Sequence, residues 1–305
     1  MYIHVKLLTE STSVPCRRCH FENVKLSEVN EMKLPGGNAG GAWRVGDTVR
    51  RQTGKWTPSV HELLRYLEVC QFDGAPRVYG IDDKGREVLS FLAGESVGDR
   101  RPWPKWVHSD QALIEVGQWL RRYHDTVSSF VVPFDSHWRG STRLWQSGDV
   151  ICHNDAAPYN AIWSAEPKEP CLNDQSTDRP RLIGFIDWDF AAPQPPIWDL
   201  AFVASSWVPL HAREVAVSEG FEDFTDRPRR LGLLLDSYGY LGSIGELLEA
   251  VRMRINDHIR VVRVLAEGGD PLFKGLIQGG VIAKCEQTLI ELEFDFDTYE
   301  VAFRN

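Results

Sequence analysis

The chain has 305 residues and a formal net charge of −9, with 43% hydrophobic and 25% charged residues, values ordinary for a globular protein long enough to bury a core. An acidic balance of this size disfavours a nucleic-acid backbone as partner and leaves two readings, a cationic small molecule or a solvated acidic surface. No apolar run reaches the roughly 18 residues of a membrane span, and the first thirty residues lack a long apolar segment with a small-residue cleavage site, so a cytoplasmic protein is expected.

The first thirty residues read as an N-terminal extension. Within it Cys16, Cys19 and His20 match Cys-x-x-Cys-His, the pattern of haem attachment. Haem attachment needs export, and a structural zinc site wants four ligands with no second Cys-x-x-Cys to supply them, so a segment without metal is the plainer reading. Cys70, Cys152, Cys171 and Cys285 are scattered, which suits reduced thiols.

From Glu31 to Gln52 the pattern is strand, glycine-rich turn, strand, tight turn at Gly46-Asp47, strand. Val60, Leu63, Leu64 and Leu67 then fall at helical spacing, with Thr57 as a cap and Pro58 in the first turn. A hairpin around Asp83-Lys84-Gly85 follows, and the character of the chain changes near Ala93. Leu113, Val116, Leu120 and Tyr123 mark an amphipathic helix capped by Ser109 or Asp110. After a strand–loop–strand segment at 151–163 and a polar insert at 164–181, the run "LIGFIDWDF" reads as a buried strand. Helices are expected at about 198–207, 229–238, 244–265 and 272–291. The closing stretch "ELEFDFDTYE" alternates acid and apolar residues. It reads as an amphipathic strand or, more sharply, as a cation-attracting rim built from Glu291, Glu293, Asp295 and Asp297. A small sheet-rich lobe at 31–93 thus precedes a larger helix-rich lobe at 94–305.

The chemistry gathers at "HNDAAPYN" and "IDWD". His153, Asp155 and Asn160 share one loop, and Asp187 follows the buried strand. Two carboxylates and a carboxamide make an oxygen-rich site suited to Mg²⁺, with one carboxylate left to receive or orient a hydroxyl proton. Phosphoryl transfer needs both parts, a metal to neutralise charge and a group to hold the nucleophile. His153-Asn154-Asp155-x4-Asn160 followed by Asp187 also follows the order of the kinase pattern His-Arg-Asp-x4-Asn, strand, acidic metal ligand. Standing alone, such a loop is more often a turn former than a catalyst.

These motifs, with "VGQWLRRYHD", "HELLRYLE", "REVLSFLAGE" and "FIDWDFAAPQPPIWDLA", resemble the aminoglycoside phosphotransferase and choline kinase-like family. The resemblance covers about 34–240. It implies an α+β, bilobal protein-kinase-like fold with a small antiparallel-sheet lobe, a larger helical lobe, and ATP, or GTP, in the cleft. It implies Asp155 as the catalytic base or hydroxyl-orienting residue, Asn160 and Asp187 as Mg²⁺ ligands, and His153 as a brace. Asp199 would fix the loop or cap a helix, while Asp189 would either stand behind the metal ligands or face solvent. The family's small-lobe lysine is replaced by Arg50 or Arg51. Arg50 is favoured, with Glu62 as its helix partner, although the register could select His61 instead. Gly37 and Gly40 of "GGNAGG" would cover phosphates, and the backbone of Phe91 and Leu92 would meet adenine. Asn154 stands where the family usually carries glycine, and Asn tolerates the same turn better than other residues. The expected activity is transfer of phosphate to a small-molecule hydroxyl, with an aminoglycoside or other cationic antibiotic tried first. A choline-like or amino-sugar acceptor and a nucleotide-binding protein without turnover are the alternatives. A protein kinase is disfavoured because no Asp-Phe-Gly to Ala-Pro-Glu segment is recognisable.

Overall fold

The computed structural model describes residues 30–34, 41–98, 100–164 and 180–304. The Cys16, Cys19 and His20 motif and most of the polar insert lie outside them.

Five short strands build one antiparallel sheet in the order β1-β2-β3-β5-β4. They are β1 (Met32–Lys33), β2 (Ala42–Val45), β3 (Thr48–Gln52), β4 (Val78–Ile81) and β5 (Arg86–Ser90). The tight turn forms as expected, with Val45 opposite Thr48 and Gly46 at φ +60°, where a side chain would be strained. Helix α1 (Thr57–Val69) buries Val60, Leu63, Leu64 and Leu67. Thr57 is its first residue rather than its cap, and its hydroxyl accepts the Gly54 N–H at 2.9 Å.

The helical lobe is organised on α2 (Asp110–Val127), whose N-terminus Ser109 caps by accepting the Ala112 N–H. Its long packing partner is α5 (Arg227–Tyr238). The two approach closely because Gly117 has no side chain: a Cβ there would sit 2.9 Å from the Ser237 Cβ. From the other face of α2, Trp119 reaches Tyr123 at 5.3 Å and Phe185 at 4.5 Å between ring centroids.

Two small ladders lie under the cleft. Strand β6 (Val150–Cys152) pairs with β9 (Ala192–Gln194), and β7 (Ala161–Trp163) pairs with β8 (Leu182–Phe185). The chain crosses between lobes where Glu95 and Trp163 exchange backbone hydrogen bonds of 2.8 and 2.9 Å. Gly94 permits this contact, since a Cβ there would lie 2.4 Å from the Trp163 carbonyl.

The remaining helices are α3 (Pro196–Trp207), α4 (Arg213–Ser218), α6 (Ile244–Glu267), α7 (Pro271–Gln278) and α8 (Val281–Ala302). Helix α4 is an element the sequence pattern does not mark, and two expectations need correction. The helix expected at 272–291 is two helices, parted where Gly280 turns left-handed at φ +76°. The acidic stretch at 291–300 belongs to helix α8 and is not a strand. Its alternation is broken by burial of Leu292 and Tyr299, seven residues apart and so on one helical face.

Candidate active site

The loop after β6 is held by one buried carboxylate. Asp199, in the first turn of α3, accepts the N–H groups of His153 at 2.7 Å and Asn154 at 2.9 Å. Burial alone would raise its pKa, but His124 beside it and the backbone donors hold it below the ordinary range. His124 in turn meets Tyr238 at 2.8 Å, so it is a packed link between α2, α3 and α5. Asn154 adopts φ +67°, the left-handed turn that glycine would otherwise supply, and its side chain donates to the Phe190 carbonyl at 2.9 Å.

His153 is fully buried. Its Nδ1 accepts the Asp155 N–H at 3.2 Å, which assigns the ring proton to Nε2. Burial pushes its pKa down to about 4, so it braces the loop as a neutral ring. Asp155 then stands at the cleft with both oxygens engaged. Tyr159 donates to Oδ1 at 2.8 Å, and Asn160 Nδ2 donates to Oδ2 at 2.8 Å. Burial first, and the negative Asp187 second, push the Asp155 carboxyl up to about 7.

Asn160 and Asp187 are brought together by strand pairing. Ala161 lies opposite Phe185, and the Ile186 N–H extends the ladder to the Asn160 carbonyl at 3.0 Å. Asp187 follows at φ +63°, a left-handed conformation that Asp tolerates better than most residues. Asn160 uses its amide nitrogen on Asp155, and Asp187 lends Oδ1 to Arg51, which leaves the Asn160 carboxamide oxygen and the second Asp187 oxygen as hard donors. The mutual repulsion that raises Asp155 is what a divalent cation would relieve, so the residues present fit Mg²⁺.

The small-lobe cation at the cleft is Arg51. Its Nη1 donates to Asp187 Oδ1 at 2.8 Å, its Nη2 to Asp189 Oδ1, and its Nε to Glu87 Oε1 at 2.7 Å. Burial opposes the charge, but three carboxylates outweigh it and keep the guanidinium firmly protonated. Arg50, favoured from the sequence, lies on the opposite face of β3, where it bonds the Thr48 hydroxyl and pairs with Asp82 at 3.6 Å. Strand alternation allows one of the two to face the cleft, and the pairing of Arg51 with Glu87 across β3 and β5 decides which. Glu62 is likewise not brought to the site: it is exposed and pairs with Arg65 at 3.0 Å. The α1 residue that faces inward is His61, 3.0 Å from Glu87 Oε2.

Phe91 and Leu92 line the cleft. The Phe91 N–H is already donated to the Asp47 carbonyl at 2.9 Å, so it is not available to a base. Gly37 and Gly40 lie outside the described residues.

Four residues at the site escaped sequence reasoning. Tyr159 and Glu87 have been described. Arg254 of α6 donates to the Asn154 carbonyl and stacks 4.9 Å over Phe202. Arg139 meets Asp189 at 3.4 Å and Asp270 at 3.0 Å, and its guanidinium lies 4.6 Å from the Trp56 ring and 5.0 Å from the Phe190 ring. Glu87, Arg139 and Arg254 acquire their partners only across the fold, so no local pattern marks them, whereas Tyr159 lies four residues from Asp155 within the motif itself.

The cleft has a volume of about 2340 Å³ and runs from Val49 and Leu89 past Asp155 to α6 and α8. At its far end the acids are paired. Asp257 meets Arg260 at 2.7 Å, and Glu219 lies 2.9 Å from His211 and 3.5 Å from Arg101. On the expected acidic rim, Asp295 and Glu291 pair with Arg213 at 2.7 and 3.3 Å.

A five-stranded sheet over a helical lobe, with Asp155, Asn160 and Asp187 in the cleft between them, defines a kinase-like protein. Comparison with known proteins specifies the class. Residues 133–233 match the model of the phosphotransferase enzyme family, APH. The chain is 34% identical over 216 residues to the trifolitoxin immunity protein of Rhizobium leguminosarum bv. trifolii, covering 69% of this chain and 74% of that one. In fold it is similar to a choline/ethanolamine kinase family protein from Mesorhizobium loti, with TM-score 0.51, 15% identity, and 87% of this chain and 92% of that one covered. It is also similar to the GDP complex of wild-type aminoglycoside 2′-phosphotransferase-IIIa, with TM-score 0.52, 14% identity, and coverage of 89% and 94%. The chain belongs to the phosphotransferase enzyme family, and its reaction class is phosphoryl transfer to a hydroxyl acceptor.

Proposed function

We propose that the protein is an Mg²⁺-dependent O-phosphotransferase using ATP or GTP, and that its acceptor is a small-molecule antibiotic or toxin bearing a hydroxyl. The observation that carries this reading is the shared hydrogen bond between Asp155 and Asn160, with Asp187 beside them on the same ladder. In this reading the lobe at 31–93 holds the nucleotide and the lobe at 94–305 holds the acceptor.

Asp155 orients the acceptor hydroxyl and takes its proton as the oxygen attacks the γ-phosphate in line, while the bond from the γ-phosphorus to the β,γ-bridging oxygen breaks and ADP or GDP leaves. Tyr159 and Asn160 fix the two carboxylate oxygens so that the nucleophile is held in one direction. Asn160 and Asp187 would hold Mg²⁺, which neutralises charge on the phosphates. Arg51 releases Asp187 and Asp189 and turns its two Nη groups to the nucleotide phosphates, a bidentate grip that a lysine cannot make. The backbone of Leu92, which lines the cleft, would meet the base.

The immunity function of the 34% identical relative supports an antibiotic-type acceptor, and the solved neighbours' complexes with GDP and with kanamycin keep GTP and aminoglycosides in view. The paired acids at the far end of the cleft do not favour a polycation in particular. Purified protein would be incubated with Mg²⁺, ATP or GTP, and trifolitoxin, aminoglycosides, macrolides or choline. Mass spectrometry should find a gain of about 80 Da on one acceptor class that vanishes in Asp155→Ala. A gain that persists in Asp155→Ala would overturn the assignment of Asp155.

A further inference from the structure

The sequence pattern that this chain resembles grips its small-lobe cation with an acid on the neighbouring helix. Here Glu62 of α1 does not reach Arg51, because it points outward to Arg65. A different carboxylate stands behind Arg51. Glu87 lies directly opposite Arg51 in the β3–β5 ladder and is 2% exposed. One of its oxygens takes Arg51 Nε at 2.7 Å, and the other lies 3.0 Å from His61 Nε2. Both oxygens are thus committed, one to the strand and one to the helix, and neither is left for ligand.

We infer that Glu87, clamped by His61, is the positioning residue that holds Arg51 for the nucleotide phosphates, a strand carboxylate doing what the resembled pattern assigns to a helix glutamate. The inference rests on the reading of Arg51 given above. Its physical basis is the shape of arginine. A guanidinium can be held from behind through Nε while both Nη groups reach forward, here to Asp187 and Asp189. A lysine has one nitrogen and cannot do both. Residues directly opposite in an antiparallel pair have Cβ atoms about 5 Å apart, so the sheet itself sets the distance between Glu87 and Arg51. The helix is coupled to that pair through His61. The departure at Arg51 and the departure on α1 are therefore one change: an arginine gripped by a strand acid needs a helix residue that donates to that acid, and His61 does so.

The test measures binding of Mg²⁺ with non-hydrolysable ATP and GTP analogues, and of adenosine and guanosine by competition, to the full-length protein. Glu87→Gln keeps the shape and removes the charge. Triphosphate affinity should fall about tenfold or more while nucleoside affinity holds. His61→Glu added to Glu87→Gln should restore part of the loss, because it returns a carboxylate from the helix side. Unchanged triphosphate affinity in Glu87→Gln, or a parallel loss of nucleoside affinity, would overturn the inference. Arg51→Ala separates the two levels. If Arg51→Ala loses triphosphate affinity and Glu87→Gln does not, the inference alone fails. If Arg51→Ala binds triphosphate normally, the phosphate-gripping role of Arg51 fails and the inference with it. Should Glu87→Gln not fold, His61→Ala carries the test. A selective triphosphate loss of about threefold or more supports the clamp, and unchanged affinity overturns it.

Discussion

Asn160 Nδ2 donates to two oxygens of Asp155 at once, the main-chain carbonyl at 3.0 Å and the carboxylate at 2.8 Å. The five-residue spacing permits this because a single 3-10 turn, Pro158–Asn160, returns the chain toward its start. The carboxylate is thereby fixed before any ligand arrives, in a position where its charge is unwelcome.

Asp155→Asn is therefore expected to lower turnover by about 10²–10⁴ while strengthening the metal-free fold. The folded-state pKa of about 7 lies above the ordinary 3.8, so the native protein binds more protons than the unfolded chain between those values. The wild type must then lose stability as pH rises through that window, by on the order of 1–2 kcal/mol after solvent screening. Denaturant unfolding with chelator should find Asp155→Asn more stable at pH 8, with the gap closing toward pH 4. An equal gap at both ends would contradict the electrostatic account.

His153 titrates with the opposite sign. Its folded-state pKa of about 4 lies below the ordinary 6.5, so its contribution is complete above pH 6.5 and is lost as pH falls toward 4. Full burial makes the effect large, about 3 kcal/mol. In an Asp155→Asn background, which removes the opposing carboxyl, unfolding free energy should fall by about that amount between pH 7 and 4. Adding His153→Gln should flatten the slope.

Arg50 and Arg51 should behave differently despite being neighbours. Arg51→Ala should raise the nucleotide KM by about tenfold to a hundredfold, since it removes a charge-assisted bidentate contact. Arg50→Ala removes a pair with Asp82 on the far face and should leave KM within about twofold. Steady-state kinetics on the two variants reads this directly, and the reverse ranking would mean that the strand register is wrong.

Arg139→Ala should cost about 3–5 kcal/mol. It would strip partners from Asp189 and Asp270 and leave Trp56 and Phe190 without the cation stacked on them. Arg139→Lys should recover less than half, because an ammonium cannot stack on the rings and reach both carboxylates. Thermal and denaturant melts would measure both.

Asp199→Ala should be among the most damaging single changes outside the cleft, at about 3–5 kcal/mol. It would leave the buried N–H groups of His153 and Asn154 without an acceptor and His124 without its acid. Asp199→Asn retains an acceptor and should fall between Asp199→Ala and wild type. Equal stability of all three by denaturant melts would show that the loop is held elsewhere.

Residue order alone settles the parts of this protein that depend on near neighbours. The five-residue step from Asp155 to Asn160, the helical spacing of Val60, Leu63, Leu64 and Leu67, and the Gly46-Asp47 turn are local geometry, and local geometry is written in residue order. Asn154 belongs with them, since a left-handed backbone needs either glycine or a short polar side chain. Tertiary structure decided what depends on facing. Arg50 and Arg51 differ by one position on a strand, and only the pairing of β3 with β5, which sets Arg51 against Glu87, chose between them. The same holds one residue apart on α1, where His61 turned inward and Glu62 outward. At the C-terminus, alternation that suits a strand is satisfied in helix α8 by packing of Leu292 and Tyr299. Residues such as Arg139 and Arg254 carry no local signal, because an isolated arginine is a solvated surface group until distant rings and carboxylates close around it.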